Sequence, residues 1–201
     1  MTDQNQDHQD HKAKMQATKA EVDARVAQAR EKRGTIIVLT GNGKGKSSSG
    51  FGTVLRSVGY GLKTGVAQFV KGKWPCGERE LLTKLGVPFH VMATGFTWVT
   101  QDRDLDIAAA ETVWAGCKEF LQDPSIHLVL LDELTYMLTY GYLDTQEVLR
   151  YLQERPVEQT VIITGRNCPQ EVIDIADTVS EIKAVKHAFE AGVKARRGVD
   201  W

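Results

Sequence analysis

The chain has 201 residues, of which 42% are hydrophobic, and this length and composition favour one domain with a substantial core. Lysine and arginine number 25 against 26 for aspartate and glutamate, so the net charge of −1 gives no global electrostatic case for binding nucleic acid or an anionic membrane. The three cysteines form no C-x-x-C pair, which fits a reducing compartment. No signal peptide is evident, and no apolar run is long enough to cross a bilayer, so we expect a cytoplasmic protein.

The amino-terminal 33 residues contain two segments of different character. Residues 1–16 are almost entirely polar and cannot bury enough apolar surface to offset the entropy of ordering, so we predict a mobile tail. Residues 17–33 are rich in helix formers with a thin apolar stripe, which predicts an extra, weakly amphipathic helix. Packing on its own domain is the simplest interpretation of this helix, and a role as a lid over a ligand stays open. Residues 34–201 form the remaining domain.

After Gly34, short apolar runs alternate with longer helical stretches. Strands are predicted at residues 35–40, 65–70, 88–93, 127–132 and 160–165, with a sixth near 178–185. Helices are predicted at residues 50–59, 103–122 and 145–154. Asp144 and Glu147 resemble a capping box at the start of the last of these. The strands lack polar alternation, which predicts a three-layer α/β domain with a mainly parallel sheet and ligands at the carboxyl ends of its strands.

The sequence TGNGKGKSS at residues 40–48 follows the first predicted strand and precedes a helix, which is the setting of a phosphate-binding P-loop. Glycines let backbone N–H groups converge on phosphate oxygens, and the helix N-terminus adds partial positive charge. Lys46 supplies a full positive charge, and Ser47 occupies the position whose hydroxyl contacts Mg²⁺. The predicted phosphate-binding residues are Gly41, Gly43, Lys44, Gly45, Lys46 and Ser47.

One position departs from the P-loop pattern. Thr40 stands where the first glycine is expected, and Gly41 is displaced by one residue, so we expect a cradle of different shape. A glycine-rich turn without a ligand is the alternative, but such a turn has no need of Lys44 and Lys46 together. The spacing also differs from G-x-G-x-x-G, which disfavours a dinucleotide site.

An acidic pair, Asp132 and Glu133, follows the predicted strand 127–132. A carboxylate at the end of a neighbouring strand can hold the metal of a nucleotide directly or through water, so both are candidate metal ligands. A helix cap or a surface feature is the alternative. With the P-loop, the pair predicts a P-loop NTPase fold of the RecA-like kind. Phosphoryl transfer, ATP-driven switching and attack elsewhere on the nucleotide share this cradle, so the chemistry stays open at this point.

Four motifs in combination resemble the bacterial P-loop ATP:corrinoid adenosyltransferases, namely GNGKGKS, KGxWPxGE, ATGFTW and LLDELTY. The resemblance extends over residues 22–34, 40–61, 68–82, 91–101, 129–143 and 160–201. Ser47 and Ser48 stand where threonines are common in that family, which keeps the metal-binding hydroxyl. The resemblance implies an enzyme that transfers the 5′-deoxyadenosyl group of ATP to a cob(I) corrinoid, with triphosphate as the leaving group.

The resemblance assigns the P-loop to the leaving group. Residues 41–48, with Lys46 as a catalytic residue, would stabilise the negative charge that develops on the departing triphosphate, and Asn42 would contact the nucleotide. The nucleotide is expected to lie reversed along the P-loop relative to phosphoryl-transfer enzymes. Arg56 and Arg166 are expected to reach nucleotide oxygens, and a structural ion pair is the alternative for each.

The resemblance further implies a metal ion and a pocket for the second substrate. Ser47 and Glu133, with Asp132 beside it, would hold Mg²⁺ or Mn²⁺. Phe96 and Trp98, also predicted as catalytic, would lie against the lower face of the corrin and exclude the axial ligand, since a cobalt centre without that ligand is easier to reduce. Ordinary loop packing is the alternative for these aromatic residues.

The remaining expectations concern partners. Nothing in the sequence resembles a flavin or iron–sulfur site, so reduction of the cobalt implies an external donor, which in this family is reduced flavin or flavodoxin. The resemblance also implies a homodimer whose N-terminal helix closes over the corrinoid, acting in adenosylcobalamin synthesis or salvage. Two other functions stay open from the residues alone: a P-loop kinase or ATPase, and a non-catalytic ATP-sensing module.

Overall fold

The computed structural model describes residues 2–70, 75–92 and 102–200, and the chain divides into two compact units, Met1–Lys32 and Arg33–Trp201. The first unit contains one helix, α1 (Thr2–Gln28), which begins well before the predicted residue 17. Residues 1–33 contain no glycine or proline, so nothing in the polar segment stops a helix. An ion pair one turn apart, between Lys19 and Asp23 at 2.7 Å, adds local support. The helix therefore extends through most of the segment for which a mobile tail is predicted.

The second unit contains a six-stranded sheet in which every paired strand is parallel to its neighbour. The strands are β1 (Ile36–Thr40), β2 (Thr64–Gln68), β3 (Phe89–Val91), β4 (Leu128–Asp132), β5 (Thr160–Thr164) and β6 (Thr178–Glu181). Their order across the sheet is β3-β2-β4-β5-β1-β6. The six predicted strands are confirmed. Because all of them run the same way, the residues that follow β1, β4 and β5 emerge at one edge of the sheet.

Helices connect these strands. They are α2 (Lys46–Gly59), α3 (Gly77–Lys84), α4 (Arg103–Gln122), α5 (Leu134–Thr139), α6 (Thr145–Glu154) and α7 (Gln170–Asp174). Helices α4 and α6 have the predicted bounds, whereas α2 begins at Lys46 rather than residue 50, because the glycine-rich loop runs directly into its first turn. Helices α3, α5 and α7 are missing from the sequence prediction. Among the residues described, no helix is long and apolar enough to span a bilayer.

Both faces of the sheet are buried, which confirms the three-layer α/β arrangement. Leu131 of β4 is buried on the face that Trp114 of α4 covers, and its neighbour Leu130 is buried against Phe51 of α2 on the other face. Burial on both sides explains why the strands are apolar throughout. Helix α2 approaches the sheet closely at Gly50, where a Cβ atom would come within 2.7 Å of Leu130 Cδ1. This close packing holds the first turns of α2 against β4.

The predicted capping box at the start of α6 is only half formed. Asp144 caps the helix, since its carboxylate accepts a hydrogen bond from the backbone N–H of Gln146 at 3.0 Å. Glu147 instead accepts from Lys118 Nζ at 3.1 Å, which links α6 to α4. The reciprocal bond of a capping box is replaced because a cation on the adjacent helix lies within reach of Glu147.

Replacing Asp144 by alanine is expected to lower the free energy of unfolding by about 1 kcal/mol, because it removes the only side-chain acceptor found for the described start of α6. Glu147→Ala should cost less, about 0.5 kcal/mol, since it removes a partly exposed ion pair. Urea denaturation of the two variants measures both values. Equal losses would show that Glu147 also caps the helix.

Candidate functional site

The chain turns sharply where β1 passes into the glycine-rich loop. Thr40 is the last residue of β1 and lies opposite Glu181 of β6, so it belongs to the strand rather than to the turn. Gly41 and Gly45 have φ angles of 96° and 124°, which favour glycine. A Cβ atom on Gly41 would also come within 2.6 Å of the carbonyl oxygen of Ile182. The glycine is needed one residue later than in the usual pattern, because β1 extends through Thr40.

Lys46 is the first residue of α2, and its side chain folds back over the loop. Its Nζ donates a hydrogen bond to the carbonyl oxygen of Gly43 at 2.7 Å, and the residue is only 8% exposed. The backbone N–H of Gly43 donates to the carbonyl oxygen of Ile182 at 2.6 Å. In this conformation the Gly43 N–H is therefore hydrogen-bonded within the protein, although the sequence predicted that it would face phosphate. The lysine ammonium lies at a helix N-terminus, where anions are stabilised.

Two carboxylates end β4 at the same edge of the sheet. Asp132 is 1% exposed, and its Oδ1 accepts from the hydroxyl of Thr164 at 2.7 Å while its Oδ2 accepts from Gln68 Nε2 at 3.3 Å. Glu133 follows in the left-handed conformation, with a φ of 62°, and its backbone N–H donates to Thr164 Oγ1 at 3.0 Å. The two carboxylates thus have different surroundings, because protein donors bind both oxygens of Asp132.

One cavity of about 790 Å³ joins the loop to the acidic pair. The predicted site residues that line it are Asn42, Gly43, Lys44, Gly45, Lys46, Ser47, Ser48, Asp132, Glu133 and Arg166. Arg166 is exposed and follows β5, the strand between β1 and β4. The parallel sheet therefore brings together residues that the sequence places in three separate segments.

Gly41 and Arg56 are predicted site residues that do not line this cavity. Arg56 is exposed in the last turn of α2 and does not line it. It lies almost three helical turns, or about 15 Å, beyond Lys46, so its position does not support the expected contact with nucleotide oxygens. Phe96 and Trp98 lie outside the described residues, and their roles stay predictions.

The cavity also contains residues to which the sequence analysis assigns no role. They are Gln68, Cys76, Glu78, Tyr136, His187 and Asp200, among others. Glu78 and Tyr136 belong to the motifs KGxWPxGE and LLDELTY, so the sequence did contain a pattern from which they could have been predicted as site residues. Asp200 has no local signal, because only the tertiary fold brings the carboxyl-terminal segment to the loop.

The carboxyl-terminal segment, residues 183–200, closes one side of the cavity. Lys44 Nζ contacts Asp200 Oδ1 at 2.6 Å, and Asp200 Oδ2 accepts from the backbone N–H of Arg196 at 2.8 Å. The hydrogen bond from Lys44 lowers the pKa of the Asp200 carboxyl below its ordinary value. Asp200 is therefore ionised at neutral pH, and it attaches this segment to the second lysine of the P-loop.

Two other cavity groups are held in their neutral forms. Burial, and after it the charge of Glu133, raises the pKa of the Tyr136 hydroxyl. Burial likewise raises the pKa of the Cys76 thiol, whose Sγ donates to Glu78 Oε2 at 3.4 Å. Within the described ranges no cluster of three His, Cys, Asp or Glu side chains could hold a metal ion alone.

The chain is similar to known proteins over nearly its whole length. Residues 32–201 match the family model of ATP:corrinoid adenosyltransferase BtuR/CobO/CobP. The chain is 58% identical to the corrinoid adenosyltransferase of Escherichia coli K12 over 191 residues, which cover 95% of this chain and 97% of that protein. The corrinoid adenosyltransferase CobA of Salmonella typhimurium gives the same identity and coverage. The Pseudomonas aeruginosa enzyme is 49% identical, with 96% of each chain covered.

Among solved structures, domain III of the Thermotoga maritima replication initiation protein DnaA covers 83% of this chain and 61% of its own, with 12% identity and a TM-score of 0.41. A likeness at that score carries no weight, and the fold assignment rests on the parallel strand order and the P-loop. The family match spans the whole of the second unit, and the relatives are aligned over almost their full lengths. The chain therefore belongs to the ATP:corrinoid adenosyltransferase family.

Proposed function

We propose that this chain transfers the 5′-deoxyadenosyl group of ATP to the cob(I) centre of a corrinoid and releases triphosphate. The observation that carries the proposal is the cavity shared by the P-loop, Glu133 and Arg166, in a chain of a family named for ATP and corrinoid. The electron pair of cob(I) forms the bond to C5′, and the C5′–oxygen bond breaks with its electrons leaving on triphosphate. The cobalt becomes formally cobalt(III), so the step needs no other oxidant.

The contribution of the P-loop is to stabilise the leaving group. Negative charge grows on the triphosphate as the C5′–oxygen bond breaks, and Lys46 with the first turn of α2 provides positive charge at that place. A preorganised donor aimed at developing charge is typically worth about 3–4 kcal/mol of barrier. The phosphate oxygens would replace the carbonyl of Gly43 as the partner of Lys46.

The residues of the site fit a divalent metal ion. The Ser47 hydroxyl and the Glu133 carboxylate line the same cavity, and both are oxygen ligands of the kind that Mg²⁺ and Mn²⁺ prefer. When bound there, the ion would neutralise part of the triphosphate charge. Asp132 lies beside them with both carboxylate oxygens already hydrogen-bonded to Thr164 and Gln68.

We further propose that the nucleotide lies with its triphosphate in the P-loop and C5′ toward the corrinoid, reversed relative to phosphoryl-transfer enzymes. In adenosyl transfer the carbon end must meet the acceptor, so the phosphates can stay anchored throughout. The altered cradle supports this proposal, because the N–H of Gly43 is bonded to Ile182 and the turn begins at Gly41 rather than at Thr40.

The corrinoid side of the site remains a proposal from the sequence. Phe96 and Trp98 would cover the lower face of the corrin and keep the axial ligand away from cobalt. The electron donor would be reduced flavin or flavodoxin, and the protein would act as a cytoplasmic homodimer with α1 as a lid. The corrinoid itself would be cobalamin, cobinamide or a biosynthetic precursor.

The direct test of this function is an incubation with ATP, Mg²⁺ and chemically reduced cobalamin. A cobalt–carbon bond should appear by absorbance, and intact triphosphate should appear by chromatography in equal amount. Release of ADP to another acceptor would instead indicate a kinase, and retention of ATP without turnover would indicate a binding module.

Lys46→Ala is expected to lower kcat of this reaction about 10²- to 10³-fold, because it removes a donor to the leaving group. Lys63→Ala is a matched control, since Lys63 immediately precedes the amino end of β2, at the opposite edge of the sheet, and donates to Ser125 Oγ at 3.5 Å. Steady-state kinetics compare the two variants. Equal losses would show that the effect of Lys46 is one of general stability.

Polar replacement of Phe96 or Trp98 is expected to slow the reaction when the corrinoid enters as cob(II), and to slow it less when preformed cob(I) is supplied. The reason is that these residues would assist reduction by excluding the axial ligand. Initial rates from the two oxidation states measure the difference. The same loss from both would favour the alternative of ordinary loop packing.

A further inference from the structure

A chain of polar side chains lies at the acidic end of β4, and we name it the buried relay: Arg79, which is half-buried, and Gln68, Asp132 and Thr164, which are buried. Arg79 donates to Gln68 Oε1 at 3.2 Å, and Gln68 Nε2 donates to Asp132 Oδ2 at 3.3 Å. Thr164 donates to Asp132 Oδ1 at 2.7 Å. Gln68, Asp132 and Thr164 are each at most 1% exposed, so the two bonds to Asp132 form away from water.

The hydrogen bonds of the relay have a fixed direction at Thr164. Its hydroxyl has one proton, and the Asp132 carboxylate can only accept, so the proton points to Asp132. The Thr164 oxygen is then free to accept a hydrogen bond from the backbone N–H of Glu133, at 3.0 Å. Asp132 therefore orients a hydroxyl that in turn holds the main chain of the next residue.

Glu133 needs such support because of its backbone conformation. Its φ of 62° lies in the left-handed region, which is costly for a residue with a side chain and persists where surrounding contacts fix it. Glu133 also precedes α5, and Thr135 in that helix donates to the carbonyl oxygen of Arg166 at 2.7 Å, which ties α5 to the end of β5. The turn at Glu133 is thus held by two hydrogen bonds, one from its own backbone N–H to Thr164 and one from Thr135 to the carbonyl of Arg166.

We infer that Thr164 is a positioning residue for Glu133, and that Asp132 acts on the metal site through Thr164 rather than as a direct metal ligand. The inference rests on the proposed function in one respect, namely that Glu133 binds the divalent ion of the nucleotide. Both oxygens of Asp132 already accept from buried donors, whereas Glu133 lies in the cavity wall at a turn that Thr164 holds. Loss of the Thr164 hydroxyl frees the turn without removing either carboxylate.

The test compares ATP binding in Mg²⁺ with ATP binding in EDTA, measured by isothermal titration calorimetry on the full chain. Thr164→Val is expected to weaken binding in Mg²⁺ about 10- to 100-fold, as is typical when a group behind a metal ligand is lost. It should change binding in EDTA less than about threefold, because the P-loop is intact. Thr164→Ser keeps the hydroxyl and should bind as the unmodified chain does.

Thr160→Val is the matched control at the opposite end of β5, where Thr160 accepts from the backbone N–H of Thr35 at 3.3 Å, and it should leave both affinities unchanged. Equal weakening by Thr164→Val with and without metal, no weakening in either condition, or failure of Thr164→Ser to restore binding would each overturn the proposal. If circular dichroism shows that Thr164→Val is unfolded, Gln68→Met removes the other donor to Asp132 and is compared in the same way. A loss confined to Mg²⁺ supports the relay, and the absence of such a loss overturns it.

This experiment separates the two proposals. Absence of a cobalt–carbon bond with the unmodified chain would contradict the proposed function alone, provided that ATP binding still responds to Thr164→Val in Mg²⁺. If the enzyme is active and Thr164→Val leaves its affinity for ATP in Mg²⁺ unchanged, only the positioning role is contradicted.

Discussion

The parallel pairing of β4, β5 and β1 is the constraint on which the rest of the structure depends. Leu39 of β1 lies opposite Thr164 of β5, and Leu131 of β4 lies opposite Ile163. In this register the P-loop, Thr164 and Asp132 reach the same edge of the sheet. A shift by one residue would turn every side chain of a strand to the other face, and would remove Thr164 from Asp132.

The charged side chains of the site are paired with groups of the protein itself. Lys46 donates to the carbonyl of Gly43, Lys44 contacts Asp200, and Asp132 accepts from Thr164. Charged groups at a partly buried site cost free energy unless they are paired. Under the proposed function a triphosphate with its metal ion would replace the contacts of the two lysines, whereas Asp132, which itself lines the cavity, would keep its bonds to Thr164 and Gln68. The contacts of the two lysines would therefore change on binding, whereas those of Asp132 would support the fold in both states.

The sequence predicted the strands and the P-loop well, because continuous apolar runs and a glycine-rich loop are local signals. Local signals could not show that both oxygens of Asp132 are bonded inside the protein, since Gln68 and Thr164 come from other strands. The contact of Asp200 with Lys44 joins residues far apart in the chain, and no pattern indicates it. For Glu147 the pattern was misleading, because Lys118 of a neighbouring helix offers a better partner than the helix terminus.

The interpretation that the P-loop holds a leaving group is tested most directly by a crystal structure of the chain with ATP and Mg²⁺ in the absence of corrinoid. If the interpretation is right, the triphosphate will lie along residues 42–48 beside Lys46, and C5′ will face the open part of the cavity. If C5′ is instead enclosed by the loop and the γ-phosphate faces the open part, the site is arranged for phosphoryl transfer. That result would contradict adenosyl transfer from this cradle.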